Sequence, residues 1–503
     1  MNDSSRDRDG GDDKVADTRT NGRRSCSFTG CIKDNLLLIL SLAGVGVGFV
    51  VGFLVRLAEP SEEAILWTGL PGELYMRMLK ATILPLIISS VISGSASLDP
   101  KCNGRISAIA LAYILVTNAV GAILALIVGI IIQPGSGQEI SSDVTRPNTQ
   151  NLQTQDIFAD LIRNLFPDNL VAACFQQSQT KYTITERLVV TNMTGGFVNE
   201  SVQVYTRSLG TNSGTNILGL IIASTVLGMA ASKCKDIGQP FLKFFQSTCE
   251  IMIQVLHWIV WYTPVGVASL IAASIAKASE IDNTFKSLGM FVLTVTVGVA
   301  IHQLMFVQCM YFLFLRRNPL KFYFSCFRPM MTAFAPPSTA VAIPDMLVCL
   351  EGKNHVDKKV SRFVVPFAAT LNRDGSCLFI TLAAIYIGQT EGSLDAGRYL
   401  MIAILATAGS LAIPFVPSAS IVTLLILLSS LNMSPANIGL IMAVEWYTDR
   451  IRTTSNTLSC CLCTVVTYQL SKRWLTSTEV SMLKVRDIDI TLKDEDSNVN
   501  TKL

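Results

Sequence analysis

Charged residues are scarce in this chain: they make up 15% of its 503 residues, whereas hydrophobic residues make up 50%. Soluble domains carry about 25% charged residues, so this composition indicates a membrane protein. The formal net charge of +3 is too small to favour nucleic acid as a partner. Residues 1–34 are too polar for a signal peptide, and no cleavage pattern follows them, which predicts a cytosolic tail.

Histidines are also scarce, and so are cysteines placed where they could form disulfides. The three histidines are scattered, and of the 13 cysteines only Cys174 falls in the long polar segment, which argues against a disulfide framework. Cys460, Cys461 and Cys463 are clustered, but no histidine or fourth thiol lies at metal-binding spacing, which favours buried hydrophobes. Because no nucleophile and base are visible together, the sequence predicts neither an enzyme nor a resident cofactor.

Long apolar runs are what the chain has instead. Runs of about 20 residues recur, and each is long enough to cross a bilayer as a helix. We predict membrane helices one to three over 35–132 and helices four to six over 216–320. A polar loop at 133–215 separates the two sets.

Two signals agree on the orientation of the chain. Basic residues cluster in the N-terminal tail and after the second, fourth and sixth helices, so these positions share the cytosolic side. The polar loop is then extracellular, and it contains glycosylation sequons at Asn192 and Asn199. Both termini, including a second tail at 474–503, are expected in the cytosol.

Interrupted apolar segments mark the C-terminal half. Prolines and small residues break 321–352 and 397–431, and the polar run 372–376 interrupts a predicted helix at 360–390. Irregular backbone at membrane depth is tolerated only where protein buries it or a cavity wets it. A pair of such segments indicates a transporter binding site. Ordinary helices kinked by proline would give a similar pattern, and the sequence leaves that alternative open.

A polar helix is predicted at 436–473. Ionisable groups in hydrocarbon are costly, so they face a protein interior or a wet cavity. Asp449, Arg452 and Asn456 lie at i, i+3 and i+7 on one helical face. They offer an anion, a cation and an amide, which complement a zwitterion with a second carboxylate. A structural ion pair between helices, or a helix end outside the bilayer, would explain the same residues.

Five segments carry a resemblance to a known family. They are GELYMRMLKATILPLIISSVISGSASLDP at 72–100, WYTPVG at 261–266, AFAPPSTAVAIP at 333–344, NRDGS at 372–376 and DRIRTTSN at 449–456. Together they resemble the glutamate and neutral amino-acid transporter family, the dicarboxylate/amino acid:cation symporters. The resemblance implies an all-α polytopic membrane protein with eight transmembrane helices and two re-entrant hairpins. It also implies a homotrimer in the lipid bilayer, in which a scaffold carries a mobile transport domain like an elevator.

The resemblance further implies which residues bind the substrate. Asp449 would bind the amino group, and Arg452 would bind a side-chain carboxylate through bidentate geometry. Asn456 would hold the α-carboxylate or the amino end. Ser338 and Thr339, in the first hairpin, would donate hydrogen bonds to the α-carboxylate.

Sodium sites are implied in the same way. Asn372 and Asp374 would line them, together with three residues of the third helix, Tyr113, Thr117 and Asn118. These side chains offer oxygen ligands, which hard cations prefer.

Three family positions are altered here. Arg373 stands for a methionine, Ile380 for a glutamate used in proton coupling, and Cys460 for a sodium-binding aspartate. A thiol is a poor sodium ligand, and a nearby guanidinium opposes a cation. Our hypothesis is that Arg373 replaces a bound cation by holding Asp374 or nearby carbonyls. The alternative is that Arg373 pairs elsewhere and other sodium sites keep working.

The sequence therefore predicts a plasma-membrane transporter of acidic amino acids, glutamate or aspartate, with altered sodium coupling. The altered positions leave two alternatives open. One is an anion-conducting, channel-like protein, and the other is a receptor that does not transport.

Overall fold

The computed structural model describes residues 36–96, 100–136, 154–193, 196–278, 281–392, 394–413, 418–431, 433–435 and 437–500. Before the two strands come the helices α1 (Leu36–Leu57), α2 (Glu62–Ala96), α3 (Pro100–Ile132), α4 (Thr154–Leu165) and α5 (Leu170–Ala173). The strands are β1 (Gln176–Met193) and β2 (Gly196–Ser213), and they pair antiparallel. After them come α6 (Ile217–Lys233), α7 (Gln239–Val260), α8 (Thr263–Lys277), α9 (Ile281–Ile301) and α10 (Val307–Leu315), the last two joined by a π-helical turn (His302–Phe306).

The C-terminal half is built from shorter helices and one long one. They are α11 (Pro319–Ser325), α12 (Phe327–Phe334), α13 (Ile343–Val348), α14 (Lys358–Leu371), α15 (Asp374–Thr390), α16 (Ala396–Ser410), α17 (Ala419–Ser430) and α18 (Ile438–Asn500). Three predicted breaks are present: they separate α12 from α13, α14 from α15 and α16 from α17. The interrupted segments are therefore separate helices and not single helices with a proline kink.

Four helical stretches are long and apolar enough to cross a membrane. They are Leu36–Leu57, Glu62–Ser95, Arg105–Ile132 and Asp282–Leu315. A fifth span results if α7 and α8, which meet at a bend of 58°, are taken together. The predicted count of eight is not reached by length and hydropathy, because α6 is only 17 residues long and α18 carries many polar residues. The described part of the chain thus supplies four or five candidate spans.

Glycines bring α1 against α8. Gly44, Gly48 and Gly52 recur every four residues on one face of α1, and they are the buried residues of that helix. A Cβ on Gly48 would lie 2.7 Å from the carbonyl oxygen of Ala268 in α8. Small residues at this spacing let the backbones of two membrane helices approach closely. Most of the other apolar side chains of α1 are exposed, as a helix facing lipid requires, whereas Leu37, Val45 and Phe49 are half-buried against the core.

Replacing Gly48 with leucine is expected to lower the stability of the protein by about 1–3 kcal/mol, the usual cost of overpacking. The two nearest contacted atoms belong to the α8 backbone at Ala268, which cannot rotate away. Gly46→Leu is the matched control, because a Cβ there meets nothing within 4 Å. Thermal denaturation of the two purified variants in detergent measures the difference, and equal melting temperatures would refute the proposed packing.

Helix contacts fall into two groups. In the first, α1 packs along α8, and α2 packs against α6, α7 and α8. In the second, α15 packs against α3, α9, α16, α17 and α18, and every residue of α15 except Gln389 is buried. Contacts of α18 with α8 and of α16 with α6 join the groups. Movement of one group against the other stays a prediction.

The described part of the polar segment 133–215 contains a β-hairpin, which is a local exception in a structure that is otherwise helical, as predicted. Each strand is 18 residues long. β1 contains the run Tyr182–Val190, YTITERLVV, which is rich in β-branched residues that favour strands. Asn192 and Asn199 lie on opposite strands near the turn between them. Their glycosylation stays a prediction, which a gel shift on glycosidase treatment checks.

Side-chain hydrogen bonds tie the base of this hairpin to the helices. The Asp160 carboxylate of α4 accepts from the backbone N–H and the hydroxyl of Thr180, at 2.6 and 2.7 Å. Gln177 donates to the carbonyl of Ser430 at the end of α17. The segment is therefore a docked structure and not a plain loop.

The last helix is longer than predicted. The sequence analysis ends it at 473 and places a tail at 474–503, whereas α18 runs from Ile438 to Asn500. No proline or glycine follows Gly439, so nothing in the covalent backbone stops the helix. The tail at 1–34 lies outside the described residues.

Candidate functional site

A polar pocket lies where five parts of the chain meet: the turn between α12 and α13, the first turns of α15 and α17, the turn after α16, and residues 449–456 of α18. The space between them measures about 260 Å³, open solvent included. The pocket is lined by Pro337, Ser338, Thr339, Arg373, Ser376, Ile413, Ala419, Ser420, Asp449, Thr453 and Asn456.

Four of the predicted substrate residues line this pocket, but Arg452 lies outside the lining. Its Nη1 and Nη2 donate to the two carboxylate oxygens of Glu445 at 3.1 and 2.6 Å. Nη2 also lies 2.7 Å from Asp449 Oδ1, and the guanidinium covers the ring of Phe379 at 4.4 Å from its centroid. Two carboxylates and one guanidinium leave a net negative charge. The structural ion pair that the sequence left open therefore exists, although it forms within α18 and not between helices.

Asp449 also connects α18 to α17. Its Oδ2 accepts a hydrogen bond from the backbone N–H of Ser418 at 3.0 Å, immediately before α17 begins. The two carboxylate oxygens thus have different partners, one on the Arg452 guanidinium and one on the backbone at the second broken segment.

Asn456 holds the start of α15 against α18. Its Oδ1 accepts from the backbone N–H groups of Gly375 and Ser376 at 2.9 and 3.2 Å, and its Nδ2 donates to Ser376 Oγ at 3.0 Å. The first N–H groups of a helix lack partners inside it, so this side chain satisfies them. A Cβ on Gly375 would lie 2.7 Å from the carbonyl oxygen of Arg452. Glycine at this position is therefore required for the approach of the two helices.

Arg373 points to the first broken segment. Its Nη1 donates to the Thr339 hydroxyl, and only 3% of the residue is exposed. Its Nε and Nη2 have no hydrogen-bond partner among the described residues. The next residue, Asp374, faces a different neighbour: its Oδ2 lies 3.5 Å from His302 Nε2. The structure therefore contradicts one part of our hypothesis, in which Arg373 holds the Asp374 carboxylate.

Two of the predicted sodium residues are in direct contact. Thr117 Oγ1 lies 3.4 Å from Asn372 Oδ1, and Asn372 Nδ2 donates to Ser459 Oγ at 2.9 Å. The thiol of Cys460 lies 4.0 Å from the carbonyl oxygen of Asn372. Cys460 therefore stands beside a backbone oxygen where a family aspartate would supply a carboxylate.

The other three predicted sodium residues carry buried polar atoms that have no hydrogen-bond partner among the described residues. These atoms are Tyr113 Oη, both amide atoms of Asn118, and Asp374 Oδ2. Their oxygens are of the kind that coordinate a hard cation such as sodium. Ile380, in contrast, is fully buried in the hydrophobic core and offers no titratable group.

Sequence reasoning missed Glu445, Ser376, Thr453 and His302 as parts of this site. Glu445 precedes Arg452 by seven residues, a spacing that places both on one helical face and could have indicated the pair. Ser376 is in the interrupting run, but nothing in the sequence indicates that it contacts Asn456. His302 donates or accepts at 3.0 Å with Ser455 Oγ, a contact that no local pattern indicates.

The structure combines apolar candidate membrane spans with a polar pocket formed where helices are broken. This combination is typical of secondary membrane transporters. Residues 37–470 match the sodium:dicarboxylate symporter family. The chain is 36% identical to excitatory amino acid transporter 2 of Mus musculus over 94% of this chain and 85% of that protein. It is 36% identical to excitatory amino acid transporter 3 of Mus musculus, over 94% of each. An excitatory amino acid transporter of Caenorhabditis elegans is 34% identical, over 95% of this chain and 96% of its own length.

The chain belongs to the sodium:dicarboxylate symporter family. It is therefore a multi-pass membrane transporter and not an enzyme, and the family implies sodium as a coupling ion. The predicted membership is confirmed over nearly the whole chain.

Proposed function

We propose that this protein is a secondary-active transporter that carries acidic amino acids, glutamate or aspartate, across the plasma membrane. The observation that carries the proposal is the presence of two opposite charges, Arg373 and Asp449, in the lining of one pocket. A zwitterion supplies a carboxylate and an ammonium to such a pair. The relatives are named for excitatory amino acids, which agrees with an acidic substrate.

A second carboxylate on the substrate would bind Arg452, as the family resemblance implies. For this to happen, Arg452 has to transfer hydrogen bonds from Glu445 to the ligand. The exchange replaces one carboxylate by another on the same guanidinium, so the bidentate geometry is kept. Glu445 thus occupies the position on Arg452 that the substrate's second carboxylate would take.

Sodium coupling is proposed to be altered. The oxygens of Tyr113, Asn118 and Asp374 would still bind one sodium ion. A site that needs a carboxylate at position 460 would be lost, because a thiol is a poor sodium ligand. Arg373 would supply a fixed positive charge close to that place. Proton coupling through position 380 would be absent.

The remaining parts of the proposal follow the family. The group of helices around α15 would move as a transport domain against the group around α2 and α8, within a homotrimer. Both termini would be cytosolic, and the β-hairpin with Asn192 and Asn199 would be extracellular.

Uptake of radiolabelled aspartate, glutamate and serine into transfected cells tests the proposed function. We expect aspartate and glutamate to enter faster than in untransfected cells, and faster than serine. Uptake of none of the three, with the protein present at the cell surface, would contradict the proposal.

A further inference from the structure

The guanidinium of Arg373 is buried, and at least three of its five N–H donors have no partner among the described residues. The residue is 3% exposed and lines the pocket. Its Nη1 is anchored on Thr339, whereas Nε and Nη2 have no partner among the residues that the structure describes. A buried charge without hydrogen-bond partners is strongly unfavourable, so this edge of the guanidinium is suited to an anionic ligand.

The free atoms are the right pair for a carboxylate. Nε–H and one Nη2–H of a guanidinium are parallel and lie on one edge, where they form two hydrogen bonds with the two oxygens of a carboxylate. The anchor on Thr339 holds the group through Nη1, and the hydrogen-bonding capacity of this buried edge stays unused among the described residues. A lysine at position 373 would supply the charge but not the paired donors.

Nearby protein carboxylates are engaged elsewhere. Asp449 uses one oxygen for Arg452 and the other for the Ser418 backbone. Asp374 faces His302 and the backbone N–H of Gly375. No carboxylate among the described residues forms a hydrogen bond with Nε or Nη2 of Arg373, so this edge can take the carboxylate of a ligand.

We infer that Arg373 binds the α-carboxylate of the transported amino acid, whatever its side chain. The inference rests on the proposed function, because it requires an amino acid in the pocket. Arg373 contacts Thr339 in the turn between α12 and α13, and Asp449 lines the same pocket, so one ligand can meet both charges. The α-carboxylate and the ammonium are joined through a single carbon in every amino acid. Arg452 then serves only a second, side-chain carboxylate.

Amidated ligands test this assignment on the purified protein. The competitors of radiolabelled aspartate are aspartate itself, its α-amide and its side-chain amide, asparagine. In the wild type, the α-amide is expected to bind about tenfold or more weakly than aspartate, because a charge-assisted pair is lost. In Arg373→Met, the ratio of the α-amide's dissociation constant to that of aspartate is expected to fall to near one, since the α-substituent of neither ligand then meets a guanidinium. Arg373→Lys should give an intermediate ratio, and it replaces Arg373→Met if that variant does not fold.

Arg452→Cys is the matched control. This variant should keep the wild type's preference for aspartate over its α-amide. It should lose the preference for aspartate over asparagine. A structural role of Arg373 would weaken all three ligands equally in Arg373→Met and leave the α-amide ratio unchanged, which would overturn the inference. The inference would be overturned as well if Arg373→Met lost the preference for aspartate over asparagine and kept the preference for aspartate over its α-amide. A wild type that binds neither aspartate nor serine would refute the proposed function, and this inference with it.

Discussion

Replacing Arg452 with cysteine is expected to lower the affinity for aspartate by about 2–5 kcal/mol, the usual cost of losing one partner of a desolvated charge pair. Serine has no second carboxylate, so its affinity should change little or rise. Competition binding with both amino acids measures the difference. Equal losses for aspartate and serine would show that Arg452 does not select the side chain.

The same substitution is expected to destabilise the protein. Glu445 and Asp449 would lose their shared cation inside a site that is 94% or more buried, and breaking a buried pair costs about 3–5 kcal/mol. Glu445→Gln in the Arg452→Cys background should recover part of the melting temperature, because one uncompensated charge is removed. It should not recover aspartate affinity. This double variant separates the structural role of Arg452 from its role in binding.

Aspartate uptake is expected to depend weakly on sodium concentration in the wild type and steeply in the Arg373→Met, Cys460→Asp double variant. A guanidinium about 5 Å from a cation opposes it by about 3 kcal/mol at an effective dielectric constant of 20. That energy corresponds to roughly a hundredfold in the half-saturating sodium concentration. The aspartate restores an oxygen ligand beside the Asn372 carbonyl, where the thiol of Cys460 now lies.

The single variants sharpen this test. In Cys460→Asp alone, Arg373 would pair with the new carboxylate and keep sodium away, so the dependence should stay shallow. In Arg373→Met alone, the carboxylate is still missing. Aspartate uptake over a series of sodium concentrations, at constant ionic strength, compares the four proteins. A steep, cooperative curve for the wild type would refute the hypothesis that Arg373 replaces a cation.

Much of the site could be predicted from periodicity, but its internal pairing could not. The i, i+3, i+7 spacing placed Asp449 and Asn456 on one face, and the structure has both in the pocket lining. Arg452 is on that face too, yet Glu445 of the same helix holds it. A sequence shows that a guanidinium needs a carboxylate, but it does not show whether the carboxylate is the protein's or the ligand's.

The orientation of the Arg373 side chain is a second feature that could not be predicted from the sequence. Adjacent residues at the start of a helix point in different directions, so Arg373 reaches Thr339 while Asp374 reaches His302. Both partners come from distant parts of the chain, and no local pattern predicts them. The β-hairpin was missed for the opposite reason: its β-branched run was visible, but the polar composition of the segment suggested a loop.

Counterflow of radiolabelled aspartate into proteoliposomes tests the central claim most directly, because exchange across the bilayer needs the pocket but no ion gradient. We predict accumulation in vesicles that contain the purified wild type and unlabelled aspartate. We predict almost none with Asp449→Asn, which keeps the shape of the pocket and the Glu445–Arg452 pair but removes the anion for the ammonium group. Equal accumulation in wild-type, Asp449→Asn and protein-free vesicles would contradict the account.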